Sequence, residues 1–171
     1  MSIYNHGFNA PIEKFGVGIA RKIWYNVLFL PEHLQTELPF DRYPRLRVEG
    51  EIADVPIANA FIPTGDGRYY VIVAPNVLRD AEVALGDEVG MRFCIADQDH
   101  VDVPDALSAA LDINEDARKV WAALTPGKKR MLAQHVVSAK TDKTRDKRVA
   151  EALEIVVDFH GNLRAWRDSR R

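Results

Sequence analysis

A chain of 171 residues with 23 basic and 25 acidic side chains and a formal charge of −2 is long enough for one domain, or two small ones, with a real core. The near balance of charge argues against a surface built throughout for nucleic acid. A lone cysteine, Cys94, excludes an internal disulfide and fits a reducing compartment, no apolar run reaches the length of a membrane span, and no signal-peptide pattern opens the chain.

Residues 1–20 hold Gly7, Pro11, Gly16 and Gly18 without a period, and are expected to form a loose lead-in. Gly16-Val17-Gly18 lacks the third glycine of a dinucleotide fingerprint and the strand before it. From Lys22 to Leu30, alternation of Ile23, Tyr25, Val27 and Phe29 with their neighbours predicts a strand of mixed faces. Pro31 then opens a short helix with Leu34 and Leu38 one turn apart. Leu46, Val48, Gly50 and Ile52 alternate with Arg47, Glu49 and Glu51, which marks a half-buried strand. Gly50 falls on its apolar face, where a glycine signals a bend or bulge. A second run, Val55–Ile62, is followed by Gly65-Asp66-Gly67 and a third run, Arg68–Val73, so the glycines read as a hairpin. A phosphate loop would open a helix and carry Lys-Ser or Lys-Thr, whereas a strand follows here. Pro75–Asp80 reads as a helical turn, and Glu88–Ala96 as a last strand.

Near residue 97 the pattern changes. Residues 97–104 form an acidic linker, and after them the period is helical. Asp105–Leu111 is a short helix. Asn114 caps the next, with Glu115 and Asp116 at its positive end. Thr125 with Pro126 starts a third, whose apolar stripe is Met131, Leu132, His135, Val136 and Ala139. Asp142–Phe159 is the longest, with Val149, Ala150, Leu153, Val156 and Val157 as its buried face and Lys147 spaced to pair with Glu151. His160-Gly161-Asn162 ends it, and residues 161–171 form a basic tail around Trp166.

The strongest asymmetry is charge. Lys128–Arg148 carries eight basic and two acidic residues, a local +6, which leaves −8 for the remainder. Such a cluster binds phosphates or carboxylates, and two helices with a basic junction also suggest a helix-turn-helix. The plainer reading is a solvated face. It is preferred over nucleic acid, because no aromatic residue interleaves the cations. Asp97, Asp99, His100 and Asp102 could offer hard ligands, but glycine and glutamate are missing from the EF-hand positions, and no paired-histidine zinc motif exists, so no metal or cofactor is expected. No Gly-x-Ser-x-Gly elbow is present and Cys94 has no base near it in sequence, so no catalytic residue is assigned.

Ala139-Lys140, Thr144-Arg145 and Lys147-Arg148-Val149, preceded by Ala123–Arg130 with its Thr-Pro-Gly-Lys-Lys-Arg run, resemble the C-terminal signature of the YdeI/OmpD-associated, bacteriocin-protection-like family. Val55-Pro56, Pro63–Gly67 and Leu85–Val89 resemble a bacterial β-barrel domain of unknown function, the 1905 type, often fused to that region. The likeness spans roughly residues 21–158. Lys143 departs from the acidic residue of the family pattern. The resemblance implies a cytoplasmic bacterial protein with a small barrel and a helical appendix, and implies no reaction.

These readings give an α+β protein: a small antiparallel β-barrel of about six strands over 21–96, then a helical region over 105–160. The expected role is a non-enzymatic binding or protection module. Arg130, Lys140, Thr144, Arg145 and Arg148 would engage a small anionic ligand or an acidic protein partner, the arginines by forked contacts and Lys140 as a point charge. The alternative is a ligand or enzymatic pocket in the barrel rimmed by Arg68 and Tyr70.

Overall fold

The computed structural model describes residues 3–171, so Met1 and Ser2 of the lead-in lie outside it. The chain divides into two compact units, the first ending at Gln98 and the second running Asp99–Arg171.

The first unit holds seven strands: β1 (His6–Pro11), β2 (Glu13–Val17), β3 (Ile23–Phe29), β4 (Leu46–Ile52), β5 (Val55–Pro63), β6 (Tyr69–Ile72) and β7 (Glu88–Ile95), with helices α1 (Glu32–Gln35) and α2 (Pro75–Ala81) between them. All pairings are antiparallel, in the order β1-β7-β4-β5-β6-β3-β2. The two edge strands, β1 and β2, are consecutive in sequence and separated only by Ile12. The sheet therefore has to curl, and it forms a half-barrel. Ile12 itself is buried and bonds through both backbone groups to the turn before β7, accepting from Gly86 N and donating to Asp87 O, each at 2.9 Å.

The lead-in is thus not loose. Phe8, Ala10 and Ile12 alternate toward the core, although Gly7, Asn9 and Pro11 between them conceal the strand. The interior is filled by side chains. Phe61, Phe93, Met91, Leu46, Ile52 and Val71 are wholly buried, and Phe61 and Phe93 meet edge to face at 5.2 Å. Among the described residues no polar or charged residue is buried. At Gly50 the pairing of β4 with β7 leaves no room for a side chain. A Cβ there would lie 2.0 Å from the Arg92 carbonyl oxygen and 2.7 Å from Phe93 Cα. The predicted hairpin at Gly65–Gly67 forms, with both glycines at positive φ (95° and 92°).

The second unit contains helices α3 (Asp105–Asp112), α4 (Glu115–Ala123), α5 (Pro126–Val137), α6 (Asp142–Phe159) and α7 (Leu163–Ser169). Its core gathers Leu107, Leu111, Ala117, Leu132, Val136 and Ile155, among others. Two predicted helix faces are rotated from their expected phase. On α5 the buried residues are Leu132, Ala133 and Val136, while Met131 is half exposed. On α6 they are Ala152, Ile155 and Val156, and Val157 faces out. Small alanines fill the tightest helix contacts, and they escape a search for large apolar residues. The expected basic tail is mostly α7, whose Leu163 and Trp166 complete the core. Among the described residues no helix is long and apolar enough to cross a membrane.

Candidate functional site

Four helix starts in the second unit are fixed by capping, the predicted Asn114 cap of α4 among them, where Asn114 Oδ1 accepts from Ala117 N–H at 3.0 Å. Thr125, Thr141 and Asn162 likewise each accept a hydrogen bond from a backbone N–H three residues on. α6 ends with His160 and Gly161 both left-handed, at φ 48° and 76°, which turns the chain straight into α7. A Cβ on Gly161 would lie 2.8 Å from both methyls of Leu124, which can swing aside, so it is the positive φ that favours glycine there.

These turns place α5, α6 and α7 around one cleft of about 650 Å³, lined by Arg130, Met131, Gln134, His135, Ser138, Arg148, Leu163 and Arg167. The α5 residues recur at helical spacing, so a single face supplies them. That face adjoins the buried one, which explains why Met131 and His135 looked like core positions. No lining residue is acidic, and three are arginines.

Each cation is positioned differently. Arg148 on α6 reaches across to the end of α5, donating to the His135 carbonyl at 3.1 Å and to the Ser138 hydroxyl. It thereby adds a charged donor to a helix-end carbonyl that also accepts from the Ser138 hydroxyl at 3.1 Å, and places positive charge at the negative pole of α5. Arg130 donates to the His100 carbonyl at 3.1 Å. Arg167, exposed on α7, has no side-chain hydrogen bond or ion pair among the described residues.

His135 forms the floor. Its Nε2 lies 2.8 Å from Glu151 Oε2 on α6, with the two side chains only 14% and 17% exposed. Trp166 meets its ring edge to face at 6.0 Å. Glu151 is therefore held by His135 rather than by Lys147, the partner its spacing suggested. Trp166 is covered in turn by Arg170, whose guanidinium lies 4.5 Å from the ring centre and bonds Glu154 at 2.7 Å.

The residues expected to act together are split. Arg130 and Arg148 share the cleft. Lys140, Thr144 and Arg145 lie outside its lining, around the first turn of α6. There Thr144 N–H donates to Thr141 Oγ1 at 3.2 Å, and Arg145 pairs with the exposed Asp142 at 2.7 Å. Such exposed pairs contribute little to stability, about 0.3–0.5 kcal/mol. Arg167, Gln134 and Ser138 were not anticipated. Arg167 was legible in principle, since Asn162 is a cap and Leu163 and Trp166 sit three apart on one helical face.

In the first unit, Tyr70 faces away from the core. Its strand neighbours Tyr69 and Val71 point inward, and Tyr70 packs outside against Phe15 (5.0 Å) and Phe29 (6.5 Å). Burial there pushes its hydroxyl pKa up, against the opposing pull of Arg45. Arg68 lies over the Phe29 ring at 4.6 Å and forks onto the Asp66 carboxylate, its Nε donating to Oδ1 at 3.2 Å and its Nη2 to Oδ2 at 3.1 Å. That contact, helped by the Thr64 hydroxyl, holds the Asp66 carboxyl down to about 2. Arg68 and Tyr70 thus belong to an outer aromatic cluster and its hairpin.

Comparison with known families follows this division. Residues 8–93 match the family model described as Domain of unknown function (DUF1905). Residues 100–156 match the one described as Bacteriocin-protection, YdeI or OmpD-Associated. No curated protein matches the chain.

Proposed function

This chain belongs to the family described as domain of unknown function DUF1905, and from that premise we propose that its helical unit is a binding module for an anionic ligand, seated in the cleft between α5, α6 and α7. The observation that carries the reading is the lining itself: three arginines border the cleft, with no carboxylate among the lining residues. Guanidinium groups recognise carboxylates and phosphates by paired hydrogen bonds. Gln134 and Ser138 add neutral polar contacts, and Met131 and Leu163 offer an apolar wall. The ligand is thus an anion with a short apolar portion, or an acidic side chain of a protein partner. A holding role of this kind suits a region described by bacteriocin protection, because holding a ligand needs no nucleophile.

The test is a thermal-shift and calorimetric screen of the purified chain against phosphate, short carboxylates, nucleotides and acidic peptides. Binding to the native state alone raises apparent stability by mass action. The expected result is a shift for one anion class that disappears in Arg167→Ala. Shifts indifferent to Arg167 and Arg130, or none with any anion, would end the proposal.

A further inference from the structure

The first unit carries a second surface of a different kind. Between β2 and β3 the eight residues from Val17 to Trp24 are all exposed. Four of them are apolar and large. Ile19 at the tip is fully exposed, Ile23 and Trp24 are 59% and 60% exposed, and Val17 is 37% exposed. Isolated exposed apolar residues are ordinary, but four on one hairpin tip are not.

The apolar residues occupy both faces of the ribbon. Val17 pairs with Ile23, so these two share one face. Trp24 pairs with Gly16 and lies on the other. A Cβ on Gly16 would come within 3.1 Å of the Trp24 ring, so the absent side chain makes room for the indole against the strand. The ammonium of Lys22 sits 5.7 Å from the centre of that ring. Lys14, Arg21 and Lys22 give the segment its charge, and no acidic residue occurs from Lys14 to Pro31.

From this arrangement we infer that the β2–β3 hairpin is a reversible anchor for an anionic lipid surface. A flat protein partner covers one face of a ribbon and leaves the other wet. A tip that is apolar on both faces is covered at once when it enters a bilayer interface. Tryptophan and long cationic side chains both favour that depth, where an apolar body meets a polar headgroup layer. The cations select anionic headgroups, each contributing about fivefold in affinity. The inference stands independently of the anion cleft, which lies in the other unit.

Vesicle co-sedimentation and tryptophan emission test it. The full chain would be mixed with phosphatidylcholine vesicles, and with vesicles in which phosphatidylglycerol replaces part of that lipid. The expected result is pelleting with the anionic vesicles only, with a blue shift in emission. Trp24 is the most exposed of the three tryptophans, and Trp24→Phe should remove the shift while pelleting persists. Arg21→Gln with Lys22→Gln should weaken binding by about 25-fold. Ile19→Ser with Trp24→Ser should abolish it, while all variants keep the parent unfolding midpoint because the residues are exposed. Equal binding to both vesicle types, binding that survives Ile19→Ser with Trp24→Ser, or no binding at all would overturn the inference. So would a concentration-dependent dimer that the same serine pair dissolves, since the hairpin would then be a contact between copies.

Discussion

His135 Nε2 and Glu151 Oε2 meet at 2.8 Å and tie α5 to α6 beneath the arginine-lined cleft. Both groups are largely shielded from water, so removing either partner strands the other. Glu151→Ala is expected to lower stability by about 1–3 kcal/mol in denaturant unfolding. Glu151→Gln, which retains an acceptor oxygen, should recover much of that loss. Equal losses in both variants would mean that charge rather than the hydrogen bond matters.

Arg167 and Arg148 border the same cleft but differ in what else they do. Arg167→Ala should leave the unliganded protein within about 0.5 kcal/mol of the parent while removing the anion-induced thermal shift. Arg148→Ala should reduce both, because α5 loses the charged one of two donors to the His135 carbonyl at its last turn. Measuring the unliganded midpoint beside the shift separates the two residues.

Gly50 should not tolerate a methyl group. The obstacle is the Arg92 carbonyl, a backbone atom inside a paired strand that cannot swing aside. Gly50→Ala is expected to cost roughly 3 kcal/mol or more. A loss below about 1 kcal/mol would show that β4 and β7 separate easily. Gly65→Ala is the contrast: space is open there and only the positive φ resists, so about 1 kcal/mol is expected.

The Asp66 carboxyl is depressed from 3.8 to about 2 by Arg68 and then Thr64. A depressed carboxylate stabilises the folded state fully above its unfolded pKa, and the contribution fades as pH falls through the folded one. The hairpin between β5 and β6 should therefore loosen between about pH 4 and 2. Carboxyl-carbon NMR would follow Asp66 directly, and Arg68→Ala should move its midpoint back up toward 3.8. An unmoved midpoint would assign the depression to Thr64.

Strands β3 to β7 were readable because branched and aromatic residues alternate cleanly or flank a glycine hairpin. β1 and β2 were hidden by glycine, asparagine and proline, residues that disfavour strands unless a neighbour such as β7 imposes one. The charge of Lys128–Arg148 was equally plain. Which cations converge was not, because that depends on helical phase and on a sharp turn at His160-Gly161 that brings Arg167 back from the end of the chain. Lys140 and Arg145 are as basic as Arg148, yet Lys140 precedes α6, Arg145 stands about one turn before Arg148, and neither lines the cleft.

The seam at Ile12 also orders events in time. His6 pairs with Phe93, so β1 leaves the ribosome well before its partner exists, while β4, β5 and β6 can zip locally as they emerge. Contacts so distant along the chain carry the largest loop-closure cost and form late. Until β7 arrives, the outer edge of β4 stays open and available to a neighbouring chain. Closing the seam is thus the step that converts a sticky nascent meander into a finished fold.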